Sequence, residues 1–207
     1  MHNAVKMNRA TKNGQKIIQV LSGRSNAFIV CNGNHFLLVH CGPKNKWTEL
    51  RDKLNALGVR KGNLNALVLT HAHFDHAENA HNIQKEFGAQ ILIHSYEAQF
   101  FKQGFNSPIK GSLAFTKLLA GFFGKRAESK SYTSAHCVPF PGGSFDLKEL
   151  GFCAIIMPTP GHTAGSVSVI VEDEIALAGD SMIGLWPKSV YPPYAVSLHD
   201  MVASWGK

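Results

Sequence analysis

The chain has 207 residues with a formal net charge of +7, and 44% of its residues are hydrophobic. This length can bury one sizeable core, the composition is globular rather than disordered or fibrous, and no apolar run reaches the ~18 residues of a membrane-spanning helix. Lysine and arginine are spread along the chain, which argues against a nucleic-acid groove and favours anionic small substrates.

The first half of the chain alternates strand and helix patterns. Asn32-Gly33 predicts a tight hairpin turn between two apolar runs. Apolar runs bounded by turn residues predict strands at 16–21, 27–31, 36–40, 65–70 and 89–94. Apolar residues at helical spacing, each series closed by a glycine, predict helices at 46–58 and 77–88.

The second half begins with a segment of different character. Residues 104–135 carry helical apolar spacing in their middle and no chemistry-bearing cluster, which is typical of a surface excursion, a lid or a crossover insertion. Strands are then predicted at 143–147, 151–160, 165–173 and 174–179. This pattern predicts one layered α/β domain that spans residues 1–207.

A dense polar cluster follows the predicted strand at 65–70, in which His71, His73, Asp75 and His76 lie within six positions. Two histidines at i and i+2 cannot share one helix face, but they can converge on one point from a loop that leaves a strand. Imidazole nitrogen suits zinc, iron and other borderline metals. Because one metal rarely takes four ligands from one loop, the crowding predicts two neighbouring metals.

Two later strand ends offer further ligands. His162 lies in "PTPGHTAGS", where Gly161 permits a close backbone approach or a positive φ. Asp180 follows Gly179 at the end of another apolar run, and its carboxylate can bridge two cations.

With "THAHFDH", "PGHTAGS" and "AGDS" in this order, the sequence resembles the metallo-β-lactamase superfamily, and most of all its glyoxalase II-like hydrolases of small substrates. The resemblance covers the chain to about residue 186 and implies a four-layer αββα sandwich. The implied ligands are His71, His73 and His162 for one metal, Asp75 and His76 for the second, and Asp180 as the bridge.

The resemblance also implies a chemistry. One or two zinc ions, with iron or manganese as alternatives, would lower the pKa of a bound water from about 15.7 towards about 7. The resulting hydroxide, oriented by Asp75 as the catalytic carboxylate, would attack the carbonyl of a small ester, thioester, lactone or amide. The metal would stabilise the negative charge that develops.

The sequence departs from the family pattern at two places. His40 stands where the family carries an aspartate that supports the metal loop, and a neutral imidazole is expected to support it less strongly. The final segment, "SLHDMVASWGK", opens a helix at a Ser197–Asp200 capping box and stops before the family's last histidine. We therefore expect a chain truncated at its C-terminus, with a weaker second metal site or a homodimer that completes the fold.

Two alternative functions remain open at this stage. One is a catalytically degenerate metal-binding member of the family, and the other is an oxidoreductase with a single iron, similar to persulfide dioxygenases. The expected partner is a small-molecule substrate, with no membrane and no nucleic acid. The first sixteen residues lack the apolar segment of a secretory signal peptide, which predicts a cytoplasmic location.

Overall fold

The computed structural model of the protein describes residues 7–108, 110–112, 116, 132–183 and 193–207. The strands are β1 (Asn8–Ala10), β2 (Lys16–Leu21), β3 (Ala27–Asn32), β4 (His35–Val39), β5 (Leu64–Leu69), β6 (Gln90–His94), β7 (Cys137–Phe140), β8 (Phe145–Asp146), β9 (Ala154–Pro158), β10 (Val167–Val171) and β11 (Ile175–Leu177). The α-helices are α1 (Trp47–Ala56), α2 (Phe74–Ala77), α3 (Ala80–Phe87), α4 (Ser95–Gln103) and α5 (Leu198–Trp205). Short 3-10 turns lie at Lys44–Lys46, Lys148–Leu150 and Gly179–Met182.

These strands form two sheets. The first has the order β1-β2-β3-β4-β5-β6-β7, and the second has the order β11-β10-β9-β8. Strands β1 to β4 pair antiparallel, whereas β4 to β7 pair parallel. The carboxyl ends of parallel strands meet at one edge of a sheet, which is where α/β folds place their ligands. The loop that follows β5 therefore opens at this edge.

Strand β5 shows why the sheets and helices form layers. Its side chains alternate between the two faces of the first sheet. Ala66 and Val68 pack into the core between the sheets, while Leu67 and Leu69 pack into the core beneath the helices. Because both faces are covered, the strand reads as a continuous apolar run, as parallel strands commonly do.

Helices cover the outer face of the first sheet. Leu50 and Leu54 of α1, Ile83 and Phe87 of α3, and Phe101 of α4 are all buried in one core cluster. On the side of the second sheet, α5 packs against the loops that follow β9 and β11. The predicted four-layer αββα sandwich is thereby confirmed. No helix in the described ranges is both long and apolar enough to cross a bilayer.

The predicted strands and helices are confirmed, with ends that shift by a few residues. The sequence pattern missed β1, β7, α4 and α2, and α2 places Asp75 and His76 on a short helix rather than in the expected loop. Pro139 lies in β7, which runs along the edge of the described sheet, where a residue without an N–H is tolerated. Helix α4 starts directly after β6, and His94 accepts a hydrogen bond from Tyr96 N–H as an unusual N-cap. Most of the predicted lid at 104–135 lies outside the described residues.

Gly161 fixes the position of α5 against the His162 loop. Its φ is +142°, and a Cβ built there would overlap the backbone of Met201 in α5. The Ser197 N–H, at the start of the helix, also donates to the Gly161 carbonyl at 3.0 Å. The loop and the helix are therefore in direct backbone contact.

Replacement of Gly161 by alanine should destabilise the fold by more than the ~1–3 kcal/mol of backbone strain alone, because the new methyl group also pushes α5 away. Urea unfolding of Gly161→Ala beside Gly143→Ala measures this difference. Gly143 has a φ of +118° but open space around an added Cβ, so the stability lost in Gly143→Ala measures the backbone strain alone. Equal losses in the two variants would contradict the close contact.

Candidate metal centre

Four candidate ligands converge from loops that follow three strands. His71 and His73 follow β5, His162 follows β9 and Asp180 follows β11. One nitrogen or oxygen from each of these side chains lies within 4.8 Å of all the others. The three histidines are buried, and Asp180 is partly buried. The structure thus brings together residues that are far apart in the sequence.

Hydrogen bonds on the far side of two rings determine which nitrogens face the centre. His73 Nε2 lies 3.2 Å from the Ser107 carbonyl, and His162 Nδ1 lies 3.0 Å from the Tyr194 carbonyl. A carbonyl only accepts, so each of these nitrogens carries a hydrogen. The other two nitrogens, His73 Nδ1 and His162 Nε2, face each other 3.1 Å apart. Two lone pairs at this distance repel unless a cation or a proton lies between them.

His71 completes the set of three imidazoles. Its Nδ1 lies 3.0 Å from Thr70 Oγ1. Its Nε2 is buried and makes no hydrogen bond within the described part of the chain, a state that costs ~1–3 kcal/mol unless another partner satisfies the atom. Burial, and then the neighbouring imidazoles, hold the pKa of His71 and His73 well below the usual value. Both rings are therefore neutral, which is the form that binds metals.

The residues predicted for a second metal lie beside this set. His76 Nε2 is 3.2 Å from Asp180 Oδ1 and 3.9 Å from Asp75 Oδ1. The other oxygen of Asp180 is 3.6 Å from His162 Nε2, so this carboxylate faces both groups. Burial disfavours the charged forms of both His76 and Asp180. The attraction between them outweighs this effect, so the pKa of His76 is raised and the pKa of Asp180 is lowered.

His40 supports both groups, which is more than the sequence led us to expect. It directly follows β4 and has a φ of +66°, in the left-handed region. Its Nε2 lies 2.6 Å from Thr70 Oγ1, the same hydroxyl that contacts His71, and its Nδ1 lies 2.8 Å from His76 Nδ1. Burial, and then His76, lower the pKa of His40 to about 3, so this imidazole is neutral.

Sequence patterns missed several residues that hold the cluster. Arg24 Nε lies 3.3 Å from Asp75 Oδ2, and its guanidinium lies over the Phe74 ring at 4.8 Å. The Phe74 N–H donates to Asn106 Oδ1 at 2.7 Å. Thr70 and Phe74 do lie within the motif "THAHFDH". Arg24 and Asn106 are distant in sequence and belong to no motif.

A cavity of about 450 Å³ lies beside the cluster. Its walls include His40, His76, Asp180, Arg24 and Phe28. His76 and Asp180 therefore border this cavity, whereas His71, His73 and His162 are not among its walls.

Comparison with known proteins identifies the family. The family model described as the metallo-beta-lactamase superfamily matches residues 22–183. The chain belongs to the metallo-β-lactamase superfamily. The resemblance that rested on three short motifs is thus confirmed over most of the chain.

Named relatives within this superfamily include metallo-hydrolases. The chain is 25% identical over 166 residues to the probable metallo-hydrolase MJ0888 of Methanocaldococcus jannaschii, a match that covers 78% of this chain and 71% of that protein. It is 26% identical over 166 residues to the hydroxyacylglutathione hydrolase of Brucella ovis, covering 76% of this chain and 51% of that enzyme. The match therefore spans only about half the length of the Brucella enzyme.

A solved structure of the superfamily shares the fold. FEZ-1 metallo-beta-lactamase from Legionella gormanii superimposes with a TM-score of 0.63 at 16% identity, covering 91% of this chain and 70% of FEZ-1. At this identity the likeness concerns the fold alone. It agrees with the αββα arrangement of layers described above.

The convergence of imidazoles predicts tight uptake of a transition metal. His73→Ala should lower metal affinity by more than about 100-fold, because loss of a ligand should exceed the ~10–100-fold cost of losing a supporting partner. Competition with a chelator, for zinc, manganese and ferrous iron in turn, measures the effect. His81→Ala, in an exposed position of α3, is the control. Wild-type affinity in His73→Ala would exclude this ligand.

Proposed function

We propose that the chain is a metal-dependent hydrolase of a small ester, thioester, lactone or amide. The observation that carries this proposal is the close pair of ring nitrogens of His73 and His162, beside a buried nitrogen of His71 that makes no hydrogen bond to any described residue. The name of the Brucella relative is that of a hydrolase acting on an acyl derivative of glutathione, which supports the same reaction class. Superfamily membership alone does not identify a substrate.

The ligand roles are part of this proposal. The nitrogen and oxygen donors suit zinc, with iron and manganese as alternatives. When bound, the metal supplies a Lewis acid and lowers the pKa of water towards about 7. The proposed ligands are His71, His73 and His162 at the first position, Asp75 and His76 at the second, and Asp180 at both.

Asp75 is the proposed catalytic residue. Its side chain is 14% exposed, and it is held by Arg24 at 3.3 Å and by the hydrogen bond from Ser25 Oγ to its own backbone carbonyl. A carboxylate fixed in this way can accept a hydrogen bond from the attacking water and orient it towards the substrate carbonyl. The neutral ring of His40 keeps the adjacent His76 in place.

We also propose that the substrate carries an anionic group. Arg24 forms part of the cavity wall, and its side chain is 70% exposed although Asp75 and Phe74 hold it in position. A guanidinium with unused N–H donors matches a carboxylate or phosphate in geometry as well as in charge. The net charge of +7 would assist the approach of such a substrate.

Metal-loaded protein should hydrolyse at least one member of a panel that contains an aryl ester, a thioester, a lactone and an amide. Asp75→Asn should reduce kcat by roughly 10²–10⁴-fold, the range for loss of a group that assists proton transfer. Metal content is measured in the same samples to separate lost chemistry from lost metal. A fully loaded protein that cleaves none of the four classes would exclude the hydrolase. Oxygen uptake with ferrous iron would then favour the oxidoreductase.

Arg24→Gln should lower kcat/KM for an anionic ester relative to its neutral analogue by roughly 10- to 100-fold, as expected for a hydrogen bond to a charged group. An aryl acetate and the corresponding aryl hemisuccinate form a suitable pair. An effect of the substitution on Asp75 changes kcat/KM for both esters alike, so it cancels in the ratio of the two values. Lys12→Gln removes the same charge from an exposed turn and serves as the control. An unchanged ratio in Arg24→Gln would contradict this role.

A further inference from the structure

Glu97 is a fully buried carboxylate outside the predicted site. It lies in the first turn of α4, where the negative charge of even an exposed glutamate would interact favourably with the helix dipole. Here its side chain is 0% exposed. A buried carboxylate is costly unless hydrogen bonds compensate it, so the partners of this group indicate what it does.

The two carboxylate oxygens of Glu97 accept hydrogen bonds from two different loops. The Ala72 N–H donates to Oε2 at 2.8 Å, and the Gly165 N–H donates to Oε1 at 3.2 Å. Ala72 lies between His71 and His73, and Gly165 lies three residues after His162. One side chain therefore connects the loops that carry all three imidazoles of the first group.

Gly165 shows how closely this connection is packed. A Cβ built at this position would lie 2.8 Å from Glu97 Cγ and 2.9 Å from Oε1. The glycine allows the loop backbone to approach the carboxylate directly. The hydrogen bond from the Gly165 N–H to Glu97 therefore requires a residue without a side chain at position 165.

We infer that Glu97 is a positioning residue that clamps the β5 loop to the β9 loop and so sets the spacing of His71, His73 and His162. The inference rests on the metal site of the proposed function. A metal site needs its ligands within about 0.5 Å of their working positions. The backbone joins the two loops directly through the Val167 N–H, which donates to the Thr70 carbonyl at 3.0 Å. Glu97 adds two hydrogen bonds beside the ligands themselves, at Ala72 and Gly165.

Two measurements on Glu97→Gln test the clamp. The substitution keeps the shape but turns an NH2 group towards one backbone N–H, so one hydrogen bond is lost. Metal affinity from chelator competition should fall about 10- to 100-fold, as for other partners that orient ligands. Amide hydrogen exchange of the metal-free protein, followed by NMR, should accelerate at least about 10-fold at Ala72 or Gly165.

Asn63→Ala is the matched control. Asn63 is also buried, and its Oδ1 accepts the Arg60 N–H at 2.7 Å, but it precedes β5 at the opposite end of that strand. This variant should lose stability in urea without the change in metal affinity. If Glu97→Gln keeps wild-type affinity and exchange, or if Asn63→Ala loses as much affinity, the clamp is overturned. A wild-type protein that takes up no metal would overturn the proposed function instead, and the exchange data would still decide the clamp.

Discussion

The close approach of two imidazole nitrogens is the constraint on which the centre depends. His73 and His162 each use one ring nitrogen to bind a backbone carbonyl, so the other nitrogen faces the centre. These two nitrogens lie 3.1 Å apart in a buried environment, where two lone pairs would repel each other. A cation between them would remove that repulsion and would satisfy the buried Nε2 of His71 as well. The remaining polar contacts of the cluster maintain this arrangement.

The fold can hold these nitrogens close together because rigid layers surround them. The parallel strands of the first sheet deliver one loop to the edge, and the antiparallel second sheet delivers the others. Thr70, His40 and Glu97 then hold these loops through short hydrogen bonds. Of these, His40 is distinctive because it contacts two groups. One ring nitrogen contacts the Thr70 hydroxyl, which also contacts His71, and the other ring nitrogen contacts His76.

Sequence reasoning reached the fold and the candidate ligands because both leave local signals. Strands and helices follow from apolar spacing, and the ligands stand at the ends of predicted strands in recognisable motifs. The supporting residues leave no such signal. Glu97 acts on residues 25 and 68 positions away, and Arg24 acts on one 51 positions away. Such contacts exist only after the sheets have packed. His40 was recognised as a departure from the family, but its second contact required the structure.

Because the candidate ligands come from strands of both sheets, a bound cation would act as a cross-link between the halves of the sandwich. Binding that occurs only in the native state adds to the free energy of unfolding, by about 4 kcal/mol when the free metal is 1,000 times its Kd. The lifetime of this protein against proteases would then follow the metal supply. A cell starved of the metal would then lose the polypeptide itself.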